Sequence, residues 1–189
     1  MNAKIGVMGA QGSFSEEAGR TYAMKEKLEK PELVYLVNAE MVLSALEAAE
    51  IDIAVFPIEN SNGGIVIEAV YAMAKHRFDI KKLFEIDVRH NLLVKPGTHA
   101  GNITEITSHD QALKQCRMYL KRIWPGVEIR EYPDTAKAAA DLASGVLPPT
   151  TAVIAARAAA DLYGLDILEE GIQDLKFNYT SFIAATRLA

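Results

Sequence analysis

Four segments of the chain put hydroxyl, amide and imidazole groups where a strand gives way to a helix. Gly9-Ala10-Gln11-Gly12-Ser13-Phe14-Ser15-Glu16 joins glycines to a capping box from Ser13 to Glu16. Pro57-Ile58-Glu59-Asn60-Ser61-Asn62-Gly63-Gly64 stands between a buried strand and a helix expected from Ile65. Ser108-His109-Asp110-Gln111 reads as a Ser-x-x-Gln box opening a helix at Ala112, and Asp134-Thr135 opens another at Ala136. Unpaired N–H groups and the helix dipole attract anions to such starts. In open α/β sheets the same starts line the ligand crevice. The chemistry expected is the binding of a small carboxylate-bearing molecule, with Ser13 and Thr135 as hydroxyl donors. Gly9–Gly12 lacks the G-x-G-x-x-G order and a ribose-binding acid, so a dinucleotide is not the expected ligand.

The elements that must position these groups alternate. Strands are expected at Lys4–Met8, Leu33–Leu36, Ile53–Pro57, within Leu83–Val94, and at Ile103–Thr107, Glu128–Tyr132, Ala152–Ala155 and Thr180–Ala185. Helices are expected at Ser15–Lys27, Ala39–Ala49, Ile65–Lys75, Ala112–Ile123, Thr135–Ser144 and Arg157–Tyr163. This alternation predicts an α/β fold with largely parallel sheets. The order cap, Ala-rich helix, buried strand occurs twice, over Asn38–Pro57 and Asp134–Ala155, each time after a strand-like run. Two similar lobes are therefore expected, one of about residues 1–87 plus 169–189 and one of about 90–167. The chain would cross between them at Val88–Val94 and Asp166–Leu168, and a double crossing makes an interlobe cleft that can open and close.

Composition bounds the partners. Twenty basic against twenty-five acidic residues give a net charge of −5, which disfavours nucleic acid and anionic membranes as partners. No segment reaches the roughly 18 apolar residues of a membrane helix, and the N-terminus turns polar at once, unlike a secretory signal. A single cysteine, Cys116, fits a reducing cytoplasm and reads as a small core hydrophobe. The four histidines lie scattered, so neither a metal site nor a cofactor is expected.

The tail Gln173-Asp174-Leu175-Lys176-Phe177-Asn178-Tyr179-Thr180-Ser181-Phe182 resembles the signature of prephenate dehydratases. In that signature a Gln-Asp pair is followed by Asn, any residue and Thr-Arg-Phe; Ser181 stands where the family has Arg. Gly9–Gly19 resembles the family's opening, with Ala10 for Pro. Pro57–Val66 matches its second block almost letter for letter, and Glu85–Val94 is similar to the stretch before its second lobe. Ser108–Cys116 matches with Asp110 for Pro, Asp134–Ala140 with Asp134 for Ser, and Ala152–Asp174 is close to the block before the signature.

The resemblance implies a fold like the type II periplasmic binding proteins, with the site in the interlobe cleft. It also implies the dehydration and decarboxylation of prephenate to phenylpyruvate, on the route to phenylalanine, by a cytoplasmic homodimer. With seven residues after Phe182, a catalytic unit without the C-terminal phenylalanine-sensing domain of many members is expected. Thr180 carries over as the catalytic residue, assisting departure of the ring hydroxyl. Asn60, Ser61, Ser108, Gln115 and the signature's aromatic, Phe182, carry over as substrate-binding residues. A related cyclohexadienol lyase, acting on arogenate or decarboxylating prephenate without aromatisation, and an inactive carboxylate-binding module remain open.

Overall fold

The computed structural model describes residues 3–188; the expected lobe limits at residues 1, 2 and 189 lie outside them. From the N-terminus come β1 (Lys4–Met8), α1 (Phe14–Lys25), β2 (Glu32–Leu36), α2 (Ala39–Glu47), β3 (Ile53–Asn60), β4 (Gly64–Ile65), α3 (Ile67–Met73) and β5 (Asp79–Asp87). There follow β6 (Asn91–Val94), β7 (Glu105–Ser108), α4 (Asp110–Gln115), α5 (Arg117–Ile123), β8 (Glu128–Glu131), α6 (Thr135–Ser144), β9 (Thr151–Ala155), α7 (Arg157–Tyr163) and β10 (Asp166–Glu169). The tail ends in β11 (Tyr179–Thr186). Two compact units result: one runs to Asp87 and resumes at Tyr179, and the other is Val88–Asn178.

The first unit builds a sheet in the order β2-β1-β3-β11-β5, with β4 folded back on β3. α1 lies close on β1 because Gly19 has no side chain there; a Cβ would come 2.6 Å from Val7 Cγ1. On the other face Leu43 and Leu46 of α2 and Ala69 of α3 pack on Phe56 and Ile183. The second unit orders its strands β10-β6-β9-β7-β8. β6 and β9 are buried on both faces, which is why they read as unbroken apolar runs. Ile106, Leu113, Cys116 and Leu120 fill one side, and Leu93, Leu142, Val153 and Ala159 the other.

The repeat expected between Asn38–Pro57 and Asp134–Ala155 corresponds to α2-β3 and α6-β9, which hold equivalent places in the two sheets. In each unit the third strand pairs next with a segment arriving from the other part of the chain, β11 in one case and β6 in the other. These pairings are antiparallel, so each sheet is mixed rather than largely parallel.

Four other expectations are corrected. The return crossing lies later than Asp166–Leu168, because that stretch is β10 and pairs with β6 inside the second unit. β5 begins at Asp79, ahead of the apolar run; it is an edge strand, and Lys81 and Lys82 disguise its start. The helix over Ala112–Ile123 is broken at Cys116 into α4 and α5. The helix expected at Ile65 starts at Ile67, since Gly64–Ile65 pairs back on Glu59–Asn60.

Candidate active site

In the first unit β11 runs between β3 and β5, and its register sets Thr180 opposite Asn60 and Ile86. Thr180 is buried, and its Oγ1 accepts a hydrogen bond of 2.9 Å from Asn60 Nδ2. The orientation of that amide follows from the backbone. Asn60 Oδ1 accepts the N–H groups of Asn62 at 3.0 Å and Gly63 at 2.7 Å, closing the turn between β3 and β4. With two backbone donors on its oxygen, Asn60 must turn its NH2 toward Thr180. The Thr180 oxygen is thereby an acceptor, and its own O–H is kept for donation. Donation from Asn60 also polarises that hydroxyl. Ser61 extends the ladder: its N–H donates to Tyr179 O at 2.8 Å, and its Oγ accepts Tyr179 N–H at 3.0 Å. Asn60 and Ser61 therefore occupy a hairpin turn rather than a helix start.

Ser13 caps α1, accepting Glu16 N–H at 3.2 Å, while Glu16 accepts Gly12 N–H at 2.6 Å and pairs with Arg20. Phe182 departs from its expected role. A β-bulge between Ser181 and Phe182 shifts the register, and Phe182 is 1% exposed, stacked on Phe84 at 6.0 Å between ring centroids. It belongs to the core. Ser181 faces away from Thr180, opposite both Glu59 and Glu85, with its Oγ 3.4 Å from Glu85 Oε1. An arginine at this position would lie between two carboxylates. Other cations of the chain are engaged elsewhere: Arg187 donates to Ile51 O, Arg157 pairs with Glu170, and Lys176 sits over the Phe177 ring.

The second unit gathers its polar groups around the end of α4. Ser108 is fully buried at the end of β7 and donates to Ile154 O at 2.6 Å; the cap of α4 is His109, whose Nδ1 accepts Gln111 N–H. The Ser-x-x-Gln reading is therefore replaced by a strand-end serine followed by a histidine cap. Thr135 is the first residue of α6, half-buried beside the cap Asp134. Gln115 closes α4, and its Oε1 receives both His90 Nε2 at 2.7 Å and Asn178 Nδ2 at 2.8 Å. Burial holds the His90 imidazole below the ordinary histidine range, against the opposing hydrogen bond to Gln115.

The segment Gly171–Asn178 straps this corner together. Ile172 N–H donates to His90 O, Gln173 accepts His90 N–H, and Asp174 N–H donates to Gln115 O at 2.8 Å. The Asp174 carboxylate accepts Met118 and Tyr119 N–H, both at 2.8 Å, and so caps α5 from 55 or more residues away. That remote cap explains the break at Cys116, whose thiol is pushed up by burial. His90, Gln173, Asp174 and Asn178 were not among the expected site residues. The Gln-Asp pair and the Asn of the signature were the available signal, but only folding reveals what they hold.

A separate groove of about 650 Å³ on α4, α5 and β8 is lined by Leu113, Arg117, Leu120, Trp124 and Ile129, without Gln115. Among the described residues no cluster of three or more His, Cys, Asp or Glu has the placement of a metal site, and no helix is long and apolar enough to cross a membrane.

The family model described as Prephenate dehydratase matches residues 5–188. The chain belongs to the prephenate dehydratase family. Arogenate dehydratase 5, chloroplastic, of Arabidopsis thaliana is 37% identical over 185 residues, which cover 97% of this chain and 42% of that protein. The crystal structure of prephenate dehydratase in complex with L-Phe from Arthrobacter aurescens is 28% identical, with a TM-score of 0.89 over 99% of this chain and 61% of that one. A periplasmic substrate-binding protein of an ABC transporter from Coxiella burnetii is 13% identical, with a TM-score of 0.51 over 96% of this chain and 84% of that one. The last likeness shows the fold alone, that of the periplasmic binding proteins. This member of the family thus spans less than half the length of the curated plant relative it matches.

Proposed function

We propose that this chain is a carbon–oxygen lyase that converts prephenate to phenylpyruvate in phenylalanine biosynthesis, without a cofactor. One observation carries the reading: the backbone-pinned amide of Asn60 makes Thr180 Oγ1 an acceptor and leaves its proton to be given. In the reaction the bond from the ring to its carboxylate breaks, and its electron pair enters the ring. The ring then expels hydroxide, which leaves as water once it takes a proton, and the carboxylate leaves as carbon dioxide. No oxidant or reductant is needed. Thr180 donates to the departing hydroxyl, and the Asn60 N–H supports the charge that develops on Oγ1. Such general-acid assistance contributes about 10²–10⁴-fold.

Ser13, Ser61, Gln115 and Thr135 are proposed to hold the substrate's oxygens. Ser108 braces the end of β7. Phe182 supports the strand that carries Thr180 from within the core. The reading extends to a cytoplasmic homodimer with a small-molecule substrate and no nucleic-acid or membrane partner. The exposed Ile65, Ile67, Val70 and Tyr71 give the first unit an apolar strip that a second copy can cover.

Similarity to a protein named arogenate dehydratase favours a second reading, in which the same chemistry acts on arogenate. Incubation of the pure protein with prephenate and with arogenate, followed by product identification, decides between them. Phenylpyruvate formation supports the first reading, and preferential phenylalanine formation the second. Inertness toward both supports a binding module instead. Full turnover by an active protein carrying Thr180→Ala would remove Thr180 from the mechanism.

A further inference from the structure

The groove on α4, α5 and β8 has the make-up of a ligand site that the proposed chemistry does not use. Its volume of about 650 Å³ lies within the usual range of small-molecule pockets, roughly 300–1,000 Å³. Leu113, Leu120 and Trp124 line it from the core of the second unit, and Ile129 on the edge strand β8 adds an exposed apolar side chain. The one polar atom of Trp124 is already satisfied. Its indole N–H donates to Tyr119 Oη at 3.4 Å, and that hydroxyl donates to Glu169. What Trp124 offers the groove is therefore ring carbon, suited to stacking on another ring. The wall is also held in place, since Asp174 caps α5 through Met118 and Tyr119 N–H. A site built on fixed elements loses little free energy to ordering when a ligand binds.

Charge decides which ligand suits it. The charged side chains lining the groove are Asp110, Lys114, Arg117, Lys121 and Glu131. Both acids act on one base: Asp110 pairs with Lys114 at 2.6 Å, and with Glu131 it holds that ammonium above the ordinary lysine range. Among the described residues no carboxylate pairs with Arg117 or Lys121. These two exposed cations are one helical turn apart on α5 and share a face. The groove thus joins an aromatic, apolar wall to two cations without counter-ions. A guanidinium takes a carboxylate through two parallel N–H groups, and an ammonium beside it adds a second charge. An inorganic anion would leave the apolar wall uncovered, and a neutral apolar molecule would leave the two cations unused.

We propose that this groove is a further binding site, for a small aromatic carboxylate whose ring lies on Trp124 and whose carboxylate is held by Arg117 and Lys121. Thr180 and Asn60 belong to the first unit and the groove to the second. The site therefore stands whatever reaction the chain catalyses.

Trp124 is the one tryptophan of the chain, so its fluorescence reads this groove directly. Hydrocinnamate should change that emission saturably, and binding should weaken as salt is raised. Propionate, which lacks the ring, and hydrocinnamide, which lacks the charge, should each bind about tenfold more weakly or worse. Amide shifts in a ¹H–¹⁵N spectrum should concentrate at residues 113–124 and 128–131. The double variant Arg117→Glu/Lys121→Glu should lose about tenfold or more in affinity at unchanged thermal stability. Ile129→Glu, which sets an acid in the apolar wall, should do the same. No saturable change in emission, equal affinity for hydrocinnamate and its amide, or shifts centred on Asn60 and Thr180 would overturn the proposal. So would full affinity in the folded double variant. A dimer that Ile129→Glu separates in sedimentation would give the groove to a second copy and overturn it as well. Should the variants fail to fold, hydrocinnamate against its amide on the wild type still decides the part played by charge.

Discussion

The two units orient their key amides by different means. In the first, Asn60 Oδ1 takes two backbone N–H groups of its own turn, so the sequence neighbourhood pins the amide before any tertiary partner is considered. In the second, Gln115 Oε1 takes two side chains, His90 and Asn178, from 25 residues upstream and 63 residues downstream. The helices after each first strand differ in the same way. α1 is continuous and capped locally by Ser13, whereas its counterpart is cut into α4 and α5 by the distant Asp174 carboxylate. In the first corner the orientation of the amide is thus locally encoded, although Thr180 reaches it from the tail 120 residues away. In the second the orientation itself is set by distant side chains. Loss of long-range contacts should leave the Asn60 amide pinned in its turn and release that of Gln115.

The largest effect should come from inverting the locally pinned amide. Asn60→Asp keeps the turn but sets an oxygen against Thr180 Oγ1, so the hydroxyl proton turns inward. We expect kcat to fall by about 10²-fold or more with KM little changed, measured on whichever substrate the wild type converts. A loss confined to KM would mean that Asn60 only binds.

Removing the remote cap should weaken one unit and spare the other. Asp174→Ala should cost about 0.5–2 kcal/mol, the usual range for a lost N-cap. Hydrogen exchange should quicken in α5 and at the end of α4, with α1 and β3 unchanged. Uniform loosening of both units would contradict the division drawn here.

The pH response should separate the units by sign. His76 holds α2 to α3 through Glu47 at 2.8 Å and Glu40 at 3.1 Å. Burial works against its charge, but the two carboxylates outweigh it and raise the pKa above the ordinary 6.5. Its contribution is complete below about 6.5 and is lost as pH rises through the higher folded value. His90 is the reverse: its depressed value makes a contribution that is present above about 6.5 and lost as pH falls through the folded value. Residue-resolved exchange across a pH series should show α2 and α3 loosening at the alkaline end, and β6 with the Gly171–Asn178 strap loosening at the acid end. Both moving the same way would sink this assignment.

The smallest effect concerns Ser181. Because it faces Glu59 and Glu85 rather than the Thr180 side, Ser181→Arg should add at most about 1 kcal/mol of stability, as exposed ion pairs do. Turnover should change by less than about threefold, a small fraction of the barrier. A large gain in rate would assign the family's arginine a role in the chemistry.

Much of the architecture was legible because it rests on local rules. Lys4–Met8, Thr135–Ser144 and Arg157–Tyr163 have the expected limits, and α2-β3 and α6-β9 occupy the equivalent places that their shared pattern implied. Thr180, Asn60 and Ser61 were also readable and come together in one turn and its partner strand. What escaped depended on distant partners: the antiparallel entries of β6 and β11, β10 read as a crossing, the break at Cys116, and the core position of Phe182. His90 escaped for the same reason, since nothing near it in the chain announces Gln115.

The sequence by itself determined the α/β alternation and the doubled plan, because periodicity, capping and turn chemistry act over a few residues. The family, and with it the interest in Thr180, followed from the resemblance of its ordered motifs. Only the tertiary structure decided which atoms of the Gln115 amide point where. Hydrogen-bond polarity belongs to pairs of groups, and here the partners of Gln115 are brought to it by the fold.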